Sequence, residues 1–276
     1  DMASNTAYPL EAKQTIDVDN ENHSRIDTYT KQVQDCAPNL KDLAIKHLAV
    51  DAYYAKSKFV NGVLPTGLDL VGKLRCDADL RWNAESKYIG IGRPKKFDSK
   101  FNLEEDLDRL THVARLEDNV DLYTAVLYSK NLERNVKVSI LRWDKHSKIG
   151  YAILYSTDLD LSAEKILAYY KARFQIEFVF RDAKQHTGLT DCQSTKKESI
   201  YQQVNASLAT LSLLKLEDKK VNLSKQSNVI SITSWKRKKF NQHYMKLLFS
   251  NLGLELTCQK VSSVFDKFSD YGAIAA

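Results

Sequence analysis

Short apolar runs and helical spacings alternate over the first part of the chain, a pattern that predicts an α/β protein. Residues 47–51 form an apolar run that ends in Asp51. This is typical of a buried parallel strand that carries an acid at its C-terminal end, where the active sites of open α/β sheets lie. The other predicted elements are an edge strand over residues 6–15, helices over 24–36 and 53–61, and a strand over 68–74.

The pattern changes to β-rich between residues 76 and 157 and then becomes helical. Strands are predicted over residues 121–128, 136–143 and 150–155, separated by polar turns. One helix is predicted from an N-cap at Ser162 to about His186, with Gly188 ending it and Leu167, Phe174 and Phe178 on its packing face. Further helices are predicted over residues 198–216 and 238–249.

Composition narrows the possible classes of protein. Lys and Arg exceed Asp and Glu by 41 to 35 in 276 residues, which suits a polyanionic partner but also an ordinary basic soluble protein. The absence of a C-x-x-C pair predicts reduced structural cysteines and no zinc site. The sequence has no run of eighteen apolar residues and no signal-peptide pattern, so we expect a cytoplasmic protein that does not bind membranes.

One polar motif stands out in the predicted long helix. Tyr170, Arg173, Glu177 and Lys184 lie at offsets that, on a continuous helix, point within about 60° of one another. Such a stripe suits phosphate chemistry, because the acid can bind a divalent metal while the cations hold phosphodiester oxygens. The alternative interpretation is a solvated helix face with incidental ion pairs.

This spacing resembles the Y-(2)-R-(3)-E-(6)-K signature of bacterial insertion-sequence transposases of the DDE type. Asp51-Ala-Tyr-Tyr-Ala-Lys56 resembles the second-acid block of that family, and residues 92–96 and 186–193 also resemble family segments. The resemblance implies an RNase H-like mixed sheet with helices on both faces, interrupted by a mostly β insertion. The implied division is a core over residues 1–76 and 159–216, the insertion over 77–158, and a helical tail over 217–276.

The resemblance also implies the activity, which is metal-dependent cut-and-paste DNA transposition with Mg²⁺, or Mn²⁺ as a substitute. Asp51 and Glu177 match the second and third catalytic, metal-binding acids. The implied partners are double-stranded DNA at transposon ends and target, and a second copy in a synaptic complex on the bacterial nucleoid. The candidate DNA-binding residues are Tyr170, Arg173, Lys184, Lys56, Arg93, Lys95, Lys96 and Trp143, which could stack on a flipped base or belong to the core.

The sequence departs from the family pattern at its start. No apolar strand ending in Asp precedes Thr6, so the first catalytic acid has no equivalent, and we expect an inactive, N-terminally truncated fragment lacking the first strand. A non-catalytic DNA-binding or dimerisation remnant and an RNase H-like repair or defence nuclease are the alternatives. The basic run of residues 236–239 beside Trp235 could hold a DNA backbone or simply be solvated.

Overall fold

A computed structural model describes residues 1–3, 5–15, 23–84, 95–117, 119–145, 148–221 and 232–272. The chain divides into two compact units, one of residues 15–174 and one of residues 1–14 and 175–276. The larger unit contains α1 (Arg25–Asp42), α2 (Ser57–Val63), α3 (Ala163–Ala172) and strands β1 (His47–Ala49), β2 (Asp69–Leu74), β3 (Leu80–Asn83), β4 (Phe97–Lys100), β5 (Thr111–Glu117), β6 (Val120–Ser129), β7 (Arg134–Lys145) and β8 (Lys148–Ser156). The smaller contains α4 (Gln175–His186), α5 (Lys197–Val221), α6 (Ile232–Asn251) and α7 (Gln259–Ser269).

The strands form one mixed sheet. Their order is β1-β2-β8-β7-β6-β3-β4, with β5 also paired to β6. β1 and β2 are parallel, and the remaining pairs are antiparallel. The predicted α/β class and the three strands predicted in the β-rich region are confirmed. In the described part of the chain β1 ends the sheet and pairs only with β2.

Helices cover both faces of this sheet, as predicted. Because side chains alternate along a strand, Leu127 and Val138 face the core that contains Phe59 of α2. Leu122 points the other way, into the core built with Ile166 of α3. The sheet is therefore the middle layer of the larger unit.

Local signals explain where several helices begin and end. Ser24 caps α1 in a capping box with Asp27, whose Oδ2 accepts from the Ser24 backbone N–H at 2.8 Å. Ser162 caps α3 as predicted, accepting from the Lys165 N–H at 3.4 Å. Gly188, with a φ of +70°, follows α4 in the left-handed conformation expected of a helix stop.

The predicted edge strand over residues 6–15 is wrong. These residues are extended but belong to no strand, and they run along α5 instead. Side chains of α5 form hydrogen bonds with the backbone groups of this segment. Asn205 bonds both the N–H and the C=O of Ala12 at 2.9 Å, and Lys215 Nζ donates to the Ala7 carbonyl at 3.2 Å. An extended segment needs its backbone polar groups satisfied, and a helix with suitable side chains replaces a neighbouring strand here.

The single long helix predicted from Ser162 to His186 is also wrong, because a turn at Arg173 and Phe174 separates α3 from α4. α3 buries Ile166 against the sheet, whereas α4 buries Val179 in the core of the smaller unit. On one continuous helix these two residues would point about 140° apart. The break therefore accompanies a change of packing partner. Phe174, predicted to pack beside Leu167, is 49% exposed.

The smaller unit has its own core, in which α4, α5 and α6 meet. Its buried residues are Val179, Ala183, Leu208, Leu211 and Ile232. Among the helices that the structure describes, none is long and apolar enough to cross a membrane.

Candidate active site

Asp51 lies where the sequence predicts it, just beyond the C-terminal end of β1. The backbone N–H of Val50 donates to the Val71 carbonyl at 2.8 Å, which extends the parallel pairing up to the acid. Asp51 then caps a 3₁₀ turn, with its Oδ1 accepting from the Ala52 N–H at 2.7 Å. Its side chain is exposed, so the carboxylate is accessible to a ligand from solvent.

A cleft opens next to this turn. Lys56 is the N-cap residue of α2, and its ammonium lies 4.0 Å from the centre of the Tyr53 ring. Lys58 Nζ is 2.7 Å from Asp27 Oδ2, and hydrogen bonds from Lys58 and Ser24 lower the pKa of Asp27. Arg25 and Lys58 were not singled out from the sequence, although the Ser24 capping box could have placed Arg25 at a helix start. The lining residues are Ser24, Arg25, Ile26, Tyr53, Lys56 and Lys58.

Glu177 and Lys184 occupy one exposed stripe of α4. They are seven residues apart, so they point within about 20° of each other on this helix. Both side chains are exposed, while Val179 and Ala183 bury the other side of the helix. The predicted pairing of an acid with a cation on one helix face is therefore retained within α4.

Tyr170 lies in α3 and Arg173 in the turn that follows it, both in the larger unit. Tyr170 is half-buried and packs against the core beneath α3. The Arg173 guanidinium carbon is 5.5 Å from the centre of the Tyr170 ring. Arg173 Nε is buried and has no hydrogen-bond acceptor in the part of the chain that the structure describes. The four motif residues are thus divided among α3, the turn after it and α4, and between the two units.

The candidates in the β-rich region have different surroundings. Trp143 lies within β7 opposite Gly150 of β8, and a Cβ atom at Gly150 would overlap the indole. This contact gives Trp143 a packing role in the sheet. Lys95 and Lys96 are exposed next to β4, and the predicted DNA contact at Arg93 lies outside the described residues.

The basic run of α6 is engaged by its own unit, which favours a structural role over the DNA-backbone role considered from sequence. Each of its cations contacts an oxygen of the same unit. The pairs are Lys236 with the His186 carbonyl, Arg237 with the Gly272 carbonyl, Lys238 with Asp270 at 2.9 Å and Lys239 with Glu217 at 3.5 Å.

The two candidate acids, Asp51 and Glu177, are the type of ligand that binds a hard divalent cation. Asp51 and Glu177 offer exposed carboxylate oxygens, the ligands that Mg²⁺ and Mn²⁺ take in proteins. Asp51 belongs to the larger unit and Glu177 to the smaller. Within the described ranges, no group of three or more His, Cys, Asp or Glu side chains is arranged to hold a metal ion.

Comparison with known families decides the assignment. Residues 13–213 match a family model described as a transposase DDE domain, and this range includes both Asp51 and Glu177. The chain belongs to the DDE transposase family. Membership of this family of DNA-acting enzymes implies a nuclease or transposase activity and the use of divalent metal ions. No curated protein matches the chain.

Proposed function

We propose that this DDE transposase chain carries part of the catalytic site for cut-and-paste movement of an insertion sequence. The observation that carries the proposal is the family match, which spans the strand-end acid Asp51 and the helix acid Glu177. In this proposal both acids hold Mg²⁺, for which Mn²⁺ can substitute. When bound, such ions polarise phosphoryl oxygens and lower the pKa of bound water.

The neighbouring cations are proposed to hold the DNA. Lys184 is exposed on the same stripe as Glu177, which suits contact with a phosphate next to the acid. Arg173 is proposed to hold a phosphate through its guanidinium group, whose Nε is buried without an acceptor in the described part of its unit. Tyr170 supports the Arg173 guanidinium from beneath. Lys56 is proposed to contact the DNA strand that lies near Asp51.

The remaining features of the proposal come from the resemblance. They are a two-part core of residues 1–76 and 159–216, an insertion of residues 77–158, a helical tail of residues 217–276, and two copies acting together on two transposon ends on the nucleoid. The insertion and the Tyr-Arg-Glu-Lys spacing favour a transposase over a plain RNase H-like nuclease.

The catalytic proposal is tested by nicking of a supercoiled plasmid in Mg²⁺ or Mn²⁺, with a version of the protein extended upstream so that it can supply the first catalytic acid. We expect Asp51→Asn and Glu177→Gln each to reduce nicking to background while DNA binding persists, because both residues act on the metal ions. Glu198→Gln, which changes an exposed acid at the start of α5, is the matched control and should leave nicking unchanged. A Glu177→Gln protein that nicks at the unaltered rate contradicts the assignment.

The metal site can be read independently of activity. Fe²⁺ in place of Mg²⁺, with hydrogen peroxide and ascorbate added, generates hydroxyl radicals that cut the polypeptide near the ion. We expect cuts close to residues 51 and 177 that disappear in the Asp51→Asn and Glu177→Gln variants. Cuts confined to other segments, or unchanged by both substitutions, would assign the ion elsewhere.

A further inference from the structure

A second basic surface lies on the sheet of the larger unit, away from the two proposed acids in sequence. We propose that this surface binds the phosphate backbone of duplex DNA, an inference that rests on the proposed function. We call it the sheet patch. It consists of Arg81, Asn83, Lys96, Phe97, Tyr128, Lys130, Asn135 and Lys137.

The position of the patch follows from strand register. Val126 pairs with Lys137, and Tyr128 pairs with Asn135, so these side chains continue the face that α3 covers further along β6 and β7. Ser139 marks the covered part, because its Oγ donates to the Ala163 carbonyl at 3.1 Å. Val126 is 37% exposed. The same face of the sheet is thus open to solvent beyond α3.

Aromatic rings hold cations on this open face. The Phe97 and Tyr128 rings are 4.6 Å apart between centres. Lys96 Nζ lies 4.9 Å from the centre of the Tyr128 ring and 5.3 Å from that of Phe97. The Arg81 guanidinium carbon lies 5.5 Å from the Phe97 ring centre. Because cations occupy positions over these rings, the rings position charge rather than stack on unpaired bases.

The charge balance of the patch is positive. Its cations are Arg81, Lys96, Lys130 and Lys137. Among the described residues the acid that pairs with them is Asp79, which lies 2.9 Å from Arg81 and 3.8 Å from Lys130. Neither Lys96 nor Lys137 has an acidic partner among the residues that the structure describes, so their charges are available to phosphate.

Hydrogen-bonding groups complete the surface. Asn83 Nδ2 donates to Asn135 Oδ1 at 3.1 Å across the strands, which holds two amides beside the cations. A flat sheet face with ammonium groups, amides and supporting rings matches the contacts that proteins make to DNA phosphates. Sequence reasoning selected only Lys96 from this set, because Arg81, Phe97 and Tyr128 come together through the pairing of β3, β4 and β6.

The test measures the binding of the 276-residue chain to duplex DNA without divalent metal. Fluorescence anisotropy gives the binding constant over a range of salt concentrations. Each phosphate contact contributes about 0.9 to the slope of log K against log salt. We therefore expect Lys96→Gln and Lys137→Gln each to weaken binding and reduce the slope by about 0.9, and the double variant by about 1.8. Lys31→Gln is the control, since Lys31 is paired with Asp35 on α1.

Several results would overturn the proposal. One is a double variant that binds duplex with unchanged affinity and salt slope while its circular dichroism matches the unaltered protein. Another is tighter binding to a single strand than to the duplex, lost in Phe97→Leu, which would mean that the rings stack on bases. If the unaltered chain binds no duplex at low salt, both this proposal and the DNA contacts proposed above fail. Failure of the patch alone leaves the nicking results for Asp51 and Glu177 intact.

Discussion

Two glycines in the sheet lie opposite aromatic side chains. Gly72 of β2 pairs with Tyr155 of β8, and Gly150 of β8 pairs with Trp143 of β7. At both glycines an added Cβ would press against the ring of its partner. Each glycine thus provides the space in which a large ring lies flat across the neighbouring strand, which offsets the weak strand propensity of glycine. The Trp143 indole, the sequence-based candidate for stacking on a base, therefore already packs against Gly150.

At the residue scale, Lys215 predicts how stability depends on pH. Its side chain is buried in the smaller unit, and burial lowers its pKa below the ordinary value of 10.5, with Asp182 opposing and Arg181 reinforcing the shift. Between the lowered native pKa and 10.5 the unfolded chain binds more protons than the native protein. The contribution of Lys215 to the free energy of unfolding therefore rises with pH in that window.

We expect Lys215→Met to flatten this rise, because the apolar stem remains while the titrating group is removed. The measurement is urea unfolding of the smaller unit at a series of alkaline pH values. Lys220→Met, at an exposed position five residues further along α5, is the control and should keep the pH dependence of the unaltered protein. Parallel curves for Lys215→Met and the unaltered protein would contradict the argument.

At the element scale, the extended segment of residues 5–15 is held by the side chains of one helix. Besides Asn205 and Lys215, Ser212 Oγ donates to the Pro9 carbonyl at 3.2 Å, and Tyr201 OH donates to Glu11 Oε1 at 3.0 Å. These α5 residues recur at helical spacing and form one polar stripe. Most of the bonds go to backbone groups, so they fix the path of the segment with little dependence on its side chains.

We predict that Asn205→Ala releases this segment. The substitution removes both hydrogen bonds to Ala12, and a third within α5 to the Tyr201 carbonyl. It leaves the N–H and C=O of Ala12 without these partners, which should cost about 1–3 kcal/mol. Hydrogen exchange at the Ala12 amide should become faster, and proteases should cut residues 5–15 sooner. Thr210→Ala is the control, because the hydrogen bond that the Thr210 side chain makes among the described residues stays within α5, to the Ala206 carbonyl. Unchanged exchange at Ala12 would show that other contacts hold the segment.

The elements that could be predicted from sequence are those whose partners are local or repetitive. β6, β7 and β8 follow from alternation and polar turns, and β1 with Asp51 follows from a short apolar run. The break between α3 and α4 could not be predicted, since no glycine or proline lies between Ser162 and His186. It reflects packing on two separate cores. The sheet patch could not be predicted either, because its residues are distant in sequence and meet only through the pairing of β3, β4 and β6.

At the scale of the whole molecule, the two units have cores of different size. The larger unit buries apolar residues on both faces of an 8-stranded sheet, whereas the described core of the smaller unit is a short cluster between α4, α5 and α6. α6 also exposes Phe240 and Tyr244. Since stability grows with buried apolar area, we expect the smaller unit to unfold first.

The three tryptophans report on this expectation. Trp82 and Trp143 lie in the larger unit and Trp235 in the smaller. In urea, fluorescence of a Trp82→Phe/Trp143→Phe variant should change at a lower denaturant concentration than that of Trp235→Phe. Circular dichroism of both variants, which should superimpose on that of the unaltered protein, controls for effects of the substitutions. Coincident midpoints would mean that the chain unfolds in one cooperative step.

The pairing of Ala12 with Asn205 also has a consequence for synthesis. The two residues are 193 positions apart, yet they exchange two hydrogen bonds. A ribosome that adds about 5–20 residues per second makes them roughly 10–40 s apart. Residues 15–174 emerge within that interval and can fold while the N-terminal segment still lacks its helix. The smaller unit is therefore completed only after the larger one has been made, and residues 5–15 stay accessible to chaperones and proteases throughout translation of the larger unit.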